Sequence, residues 1–124
     1  MRRSLLFGED FRSSKRTEWK GRSDFHFFSA EGLRAHPNVG VCWNSNPEDV
    51  TAGSVKESFR LLQPWIRSVH LHELTDATYP WRELFSLLRA AKYDRYTFAE
   101  VAESKEPERY LQGYRALWIE MNRS

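Results

Sequence analysis

A single cysteine, Cys42, stands in the whole chain. No internal disulfide can form, and a lone thiol fits a reducing compartment. No apolar run approaches the ~20 residues that a membrane-spanning helix needs. After Arg2 and Arg3, only Leu5, Leu6 and Phe7 precede Glu9 and Asp10. A secretory signal requires an apolar stretch of roughly 7–15 residues, so a cytoplasmic protein is expected. Glycine is sparse, and no Gly-rich phosphate loop follows any apolar run. That disfavours a nucleotide-binding doubly wound sheet.

Apolar side chains make up 40% of the 124 residues and aromatics 15%, enough for one modest domain with a real core. The net charge of +2 conceals an asymmetry. Residues 1–22 hold seven Lys/Arg against three Asp/Glu, and the remainder holds twelve against fourteen. A case for nucleic-acid binding would rest on that basic head alone. Such a head more commonly is a solvated end, so nucleic-acid binding is not expected.

Residues 1–35 lack sustained periodicity and are expected to be an irregular basic segment, with at most a short helix from Ala30 to Ala35. His36-Pro37-Asn38 is turn chemistry. Regularity begins after it. Val39-Gly40-Val41-Cys42-Trp43 predicts a buried strand. Ser54-Val55-Lys56-Glu57 has capping-box form and opens a helix carrying Val55, Phe59, Leu62 and Trp65, closed by Pro64. Ile66 to His72 alternates as a strand. Pro80 suits the first turn of a helix with Trp81, Leu84, Phe85, Leu88 and Ala91 on one face. Tyr93-Asp94-Arg95 turns the chain, and Tyr96–Val101 predicts a third strand. A last helix from Ser104–Pro107 carries Tyr110, Tyr114, Leu117, Trp118 and Met121 on one face.

From residue 39 the order is thus strand, helix, three times over. That alternation argues for parallel strands covered by helices, an α/β fold. In such folds sites gather at the C-terminal strand ends. Side chains alternate along a strand. Gly40, Cys42 and Asn44 therefore share a face, as do Ser68, His70 and His72, and Tyr96, Phe98 and Glu100. One consistent choice turns Asn44, His70 and Glu100 into a common interior. An imidazole and a carboxylate converging there suit a divalent ion such as Mn²⁺, Mg²⁺ or Zn²⁺. Each has a plainer alternative: His70 as a hydrogen-bonded strand histidine, Glu100 paired with a cation, Asn44 as a turn residue, His72 as loop surface. Arg67 is a candidate phosphate contact or a solvated arginine.

These residues resemble a known family. Val39-Gly40-Val41-Cys42-Trp43-Asn44 looks like the sixth barrel strand of the xylose isomerase-like sugar phosphate isomerases and epimerases. Ser68-Val69-His70-Leu71-His72-Glu73-Leu74 is similar to their seventh strand. Tyr79-Pro80-Trp81-Arg82-Glu83-Leu84-Phe85, then Tyr93-Asp94 and Glu100-Val101, resemble their seventh helix and eighth strand. The resemblance covers about residues 36–121. It implies that residues 36–124 are the C-terminal part of a TIM barrel, a partial barrel of about three βα units. It further implies metal-assisted proton transfer beside the carbonyl of a sugar or sugar phosphate, with His70 and Glu100 as metal ligands. Glu100 would also act catalytically, and Asn44 and His72 would contact substrate. The family commonly has Asp on the sixth strand and His three residues later; Asn44 and Pro47 stand there here. Two ligands of four are recognisable, so metal binding is expected to be weak, and a non-catalytic barrel fragment or binding module is the alternative. The superfamily's abasic-site nucleases need a His-rich cluster of metals, and only His26, His36, His70 and His72 exist here. An isolated set of parallel strands exposes two edges. Either the N-terminal segment covers one, or chains self-associate through them.

Overall fold

The computed structural model describes Leu6–Phe7 and residues 38–123. Its strands are β1 (Leu6–Phe7), β2 (Gly40–Trp43), β3 (Ile66–Leu71) and β4 (Thr97–Ala99). Its helices are α1 (Lys56–Leu62), α2 (Trp81–Ala90) and α3 (Pro107–Arg123). The sheet order is β1-β2-β3-β4, with β2, β3 and β4 parallel and β1 antiparallel to β2. Among the described residues the chain is therefore an α/β protein with a small open parallel sheet of three strands and three helices. Residues 1–35 were expected to be irregular, yet Leu6–Phe7 pairs with Val41 and Gly40. Edge pairing uses backbone groups, which side-chain periodicity does not signal. The helix expected over Ala30–Ala35 lies outside the described residues.

Sheet and helices meet on one face. Trp43, Val69 and Leu71 are buried there with Val55, Phe59 and Leu62 from the α1 region and Trp81, Leu84, Phe85 and Leu88 from α2. Trp43 meets Phe59 edge-on at 5.6 Å between ring centres. α3 adds Tyr114, Leu117, Trp118 and Met121, all only half-buried. Between Val41 and Cys42 the β2–β3 register shifts, so Val41 pairs with Ile66 but Cys42 with Ser68. That irregularity is how Ile66 and Val69, three apart, both reach the core, where strict alternation would separate them. Gly40 lets the two strands approach: a Cβ there would sit 2.1 Å from Arg67 Cγ and 3.2 Å from the Trp65 carbonyl oxygen.

Two expected boundaries move. α1 begins at Lys56, after Val55. Of the expected Ser54–Glu57 capping box the hydroxyl half is present, Ser54 Oγ accepting the Lys56 N–H at 3.2 Å. Glu57 does not supply the carboxylate that caps the Val55 N–H. Glu83 of α2 takes that role, accepting the Val55 N–H and the Ser54 hydroxyl, each at 2.8 Å. A carboxylate at a helix N-terminus satisfies orphan amides and meets the favourable end of the dipole. Here it comes from another helix, so the cap also joins α1 to α2. β4 spans three residues rather than the six of Tyr96–Val101. Among the described residues it pairs on one side only, and β3 ends at Leu71, whose carbonyl receives the Glu100 N–H at 2.8 Å. Beyond that bond no partner strand continues among the described residues. Among the described residues no helix is long and apolar enough to cross a membrane.

Candidate functional site

Among the described residues nothing covers the face of the sheet opposite the helices, and its polar residues gather at the C-terminal ends of β3 and β4. His70 pairs with Phe98 across the strands, which brings its ring toward Glu100 two residues further on. His70 Nδ1 lies 3.2 Å from Glu100 Oε2, with the side chains 31% and 52% exposed. Phe98 braces the imidazole edge-on, its ring centre 5.6 Å away. His72 approaches the same residue from the loop. Its Nδ1 lies 3.1 Å from the Glu100 carbonyl oxygen. A carbonyl only accepts, so this bond places the proton on Nδ1 and makes Nε2 of the neutral ring an acceptor. That Nε2 is buried and has no hydrogen-bond partner among the described residues. Tyr114 fixes the backbone beneath, its hydroxyl 3.0 Å from the carbonyls of both Leu71 and His72.

Asn44 takes a different course. It is buried, and its Nδ2 donates to Asn46 Oδ1 at 3.3 Å. Its hydrogen bond belongs to the loop after β2 rather than to the His70–Glu100 pair. Between them comes Ser45, buried, at a positive φ of 52°, a backbone region unusual for a non-glycine residue. That conformation turns its hydroxyl onto the His70 carbonyl at 2.7 Å. The loop then closes as a single 3₁₀ turn over Pro47–Asp49, where Asp49 Oδ2 accepts the Asn46 N–H at 2.7 Å. Asp49 is pushed up to about 7: its desolvation outweighs the Asn46 hydrogen bond, and nearby Glu48 adds to the rise. Tyr79 accepts from Trp43 Nε1 at 3.2 Å and is also raised, chiefly by burial and then by Asp49.

Cys42, not singled out as a site residue in the sequence, faces the pair more directly than Asn44 does. It shares a shallow concavity with Gly40, Arg67, Ser68, His70 and Phe98. Burial pushes its thiol up, a hydrogen bond with Ser68 opposes this, and the charge of Glu100 adds to the rise. The signal was in the alternation that put Cys42 on the His70 face. Arg67 stands at the opposite end of β3, and its guanidinium donates to the Pro64 and Ile66 carbonyls at 3.1 and 3.4 Å.

An imidazole and a carboxylate at this separation can exchange a proton, or hold an ion between them. Donors about 2.1 Å from one ion sit about 3.0 Å apart at a right angle and about 3.4 Å apart at the tetrahedral angle. The observed 3.2 Å lies between, so the pair fits adjacent positions on one ion. Among the described residues no group of three or more His, Cys, Asp or Glu side chains comes together to hold an ion. Comparison with protein-family models, with curated proteins and with solved structures gives no match.

Proposed function

We propose that residues 36–124 are the C-terminal part of a xylose isomerase-like barrel, of the sugar phosphate isomerase and epimerase type. The observation that carries this reading is the 3.2 Å approach of His70 to Glu100 across adjacent parallel strands, at the strand ends where barrel sites form. The one-sided helix layer is in keeping with it, since in a barrel the helices lie outside and the bare face lies within. The substrate class is a sugar or sugar phosphate. His70 and Glu100 are the residues that would hold a divalent ion, Mn²⁺, Mg²⁺ or Zn²⁺, which when bound supplies polarisation of the substrate's carbonyl and hydroxyl oxygens. Glu100 accepts the proton from the carbon beside the carbonyl and returns it to the neighbouring carbon. His72, held on the Glu100 carbonyl through Nδ1 and buried at Nε2, would position the Glu100 backbone rather than meet substrate with a ring nitrogen. Asn44, buried and tied to Asn46 through Nδ2, would act on substrate only by holding the loop after β2. The buried thiol of Cys42 accords with a cytoplasmic setting.

The second reading is a non-catalytic barrel fragment or binding module. It is favoured by the ligand count, because two protein donors leave most of an ion's coordination to water. A calorimetric Mn²⁺ titration separates the two, with the His70→Ala, Glu100→Ala double variant as control. Stoichiometric micromolar binding that the double variant loses supports the metal-dependent reading and justifies assays on ketose and aldose phosphates. Absence of binding, or binding equal in both proteins, removes the isomerase mechanism and leaves the fragment.

A further inference from the structure

We propose that β4 is a docking edge for a second copy of this chain, the two β4 strands pairing antiparallel about a two-fold axis so that two sheets become one. The inference rests on the edge and its charges, not on the metal reading. β4 ends the sheet order, so among the described residues no strand pairs along its outer side. The Glu100 N–H points inward to Leu71, and successive amides of a strand alternate in direction, so those of Ala99 and Val101 point outward. β4 is short, which is one edge defence, but the other usual defences are missing from it. Tyr96-Thr97-Phe98-Ala99 holds no charge and no proline, and its register against β3 is regular, without a bulge.

Apolar surface collects at the same place. Tyr96 is 80% exposed, Phe98 48% and Leu111 50%. Tyr96, Thr97 and Ala99 line one groove with Leu111 of α3. The charges select the occupant. Arg95 precedes β4 and Glu103 follows it, both exposed. Antiparallel pairing centred on Ala99 sets Ala99 against its own copy and Thr97 against Val101. The same register sets Arg95 against Glu103, and the two-fold repeats that pair. The edge is therefore complementary to itself in sign, in one of the registers that its outward amides allow. A strand of uniform charge would match only one end.

Sedimentation equilibrium on the 124-residue chain, over about 1–100 µM, tests this. The expected result is a reversible monomer–dimer equilibrium. Arg95→Glu and Glu103→Arg should each raise the dissociation constant about tenfold, because each reverses two symmetry-related pairs. Combining them should restore the original value, and Ala99→Pro should abolish the dimer. Circular dichroism identifies any variant that fails to fold, and the charge pair remains decisive if the proline variant does. A monomer at every concentration overturns the proposal. So does a dimer indifferent to the single reversals, or one that the double reversal leaves weak. His70→Ala should dimerise as the unaltered chain does, so failure of the metal reading leaves this result standing.

Discussion

The two faces of the sheet are built on different physics. On the helix side Val69 and Leu71 are fully buried and Trp43 is 2% exposed, and each meets apolar groups from α1 or α2. On the bare side Ser68 and His70 are half-buried and Phe98 is 48% exposed. Past the irregularity at Val41–Cys42, the strands thus carry stability on Trp43, Val69 and Leu71 and chemistry on the positions between them. The difference teaches where each kind of substitution should register: in the unfolding free energy on one face, in binding on the other.

The largest effect expected is on the covered face. Phe85, 1% exposed and edge-on to Trp118, should lose about 3–5 kcal/mol on truncation to alanine. Phe98→Ala, on the bare face, should cost less than about 1 kcal/mol in the same urea titration. Equal losses would break the comparison, by showing the bare face to be covered in solution. Next comes the cap between helices. Glu83→Ala removes two acceptor bonds, to Val55 N–H and the Ser54 hydroxyl, and should cost about 2 kcal/mol. Glu106→Ala removes an exposed pair with Arg109 at 3.5 Å and should cost below about 0.5 kcal/mol. A Glu83 loss as small as that of Glu106 would mean that water or the Ser54 hydroxyl caps α1 equally well.

Much of this architecture is legible in the sequence because its signals are local. Helical spacing fixes Trp81, Leu84, Phe85 and Leu88 on one face of α2, and all four are buried. Alternation puts His70 and Glu100 on one side of neighbouring strands, and they meet. The failures are where a distant group overrides a local one. Ser54 and Glu57 have the form of a capping box, yet Glu83, far along the chain, supplies the carboxylate. Asn44 shares a parity with Cys42, but the strand ends at Trp43, and the Asn44 side chain bonds within the loop to Asn46. Strand length was overestimated for β4 because alternation says nothing of where a partner stops. The pairing of Leu6–Phe7 on β2 leaves no side-chain pattern at all.

A third test concerns the loop that joins the faces. Asp49 is raised to about 7 against about 3.9 for a free aspartate, so the folded chain holds its proton more tightly than the unfolded one. The stability this contributes is complete below about pH 4 and is lost as pH rises through about 7. Asp49→Asn keeps an oxygen for the Asn46 N–H and carries no charge to desolvate. Its unfolding free energy should exceed that of the unaltered chain by about 1–2 kcal/mol at pH 8, and match it within about 0.5 kcal/mol at pH 4. A constant difference between the two values would show that Asp49 stays ionised throughout, its hydrogen bond to Asn46 outweighing its desolvation.

The smallest stability effect is expected where the chemistry is concentrated. His70 and Glu100 are partly exposed, and an ion pair in that setting contributes between nothing and about 1 kcal/mol. His70→Ala and Glu100→Gln should therefore unfold within about 1 kcal/mol of the unaltered chain while altering any metal affinity it has. Their effects should also be non-additive, since either change alone removes the shared contact. The informative failure is a loss near that of Phe85→Ala. The pair would then be holding β4 onto β3, and its position at the strand ends would be explained by structure without any ligand.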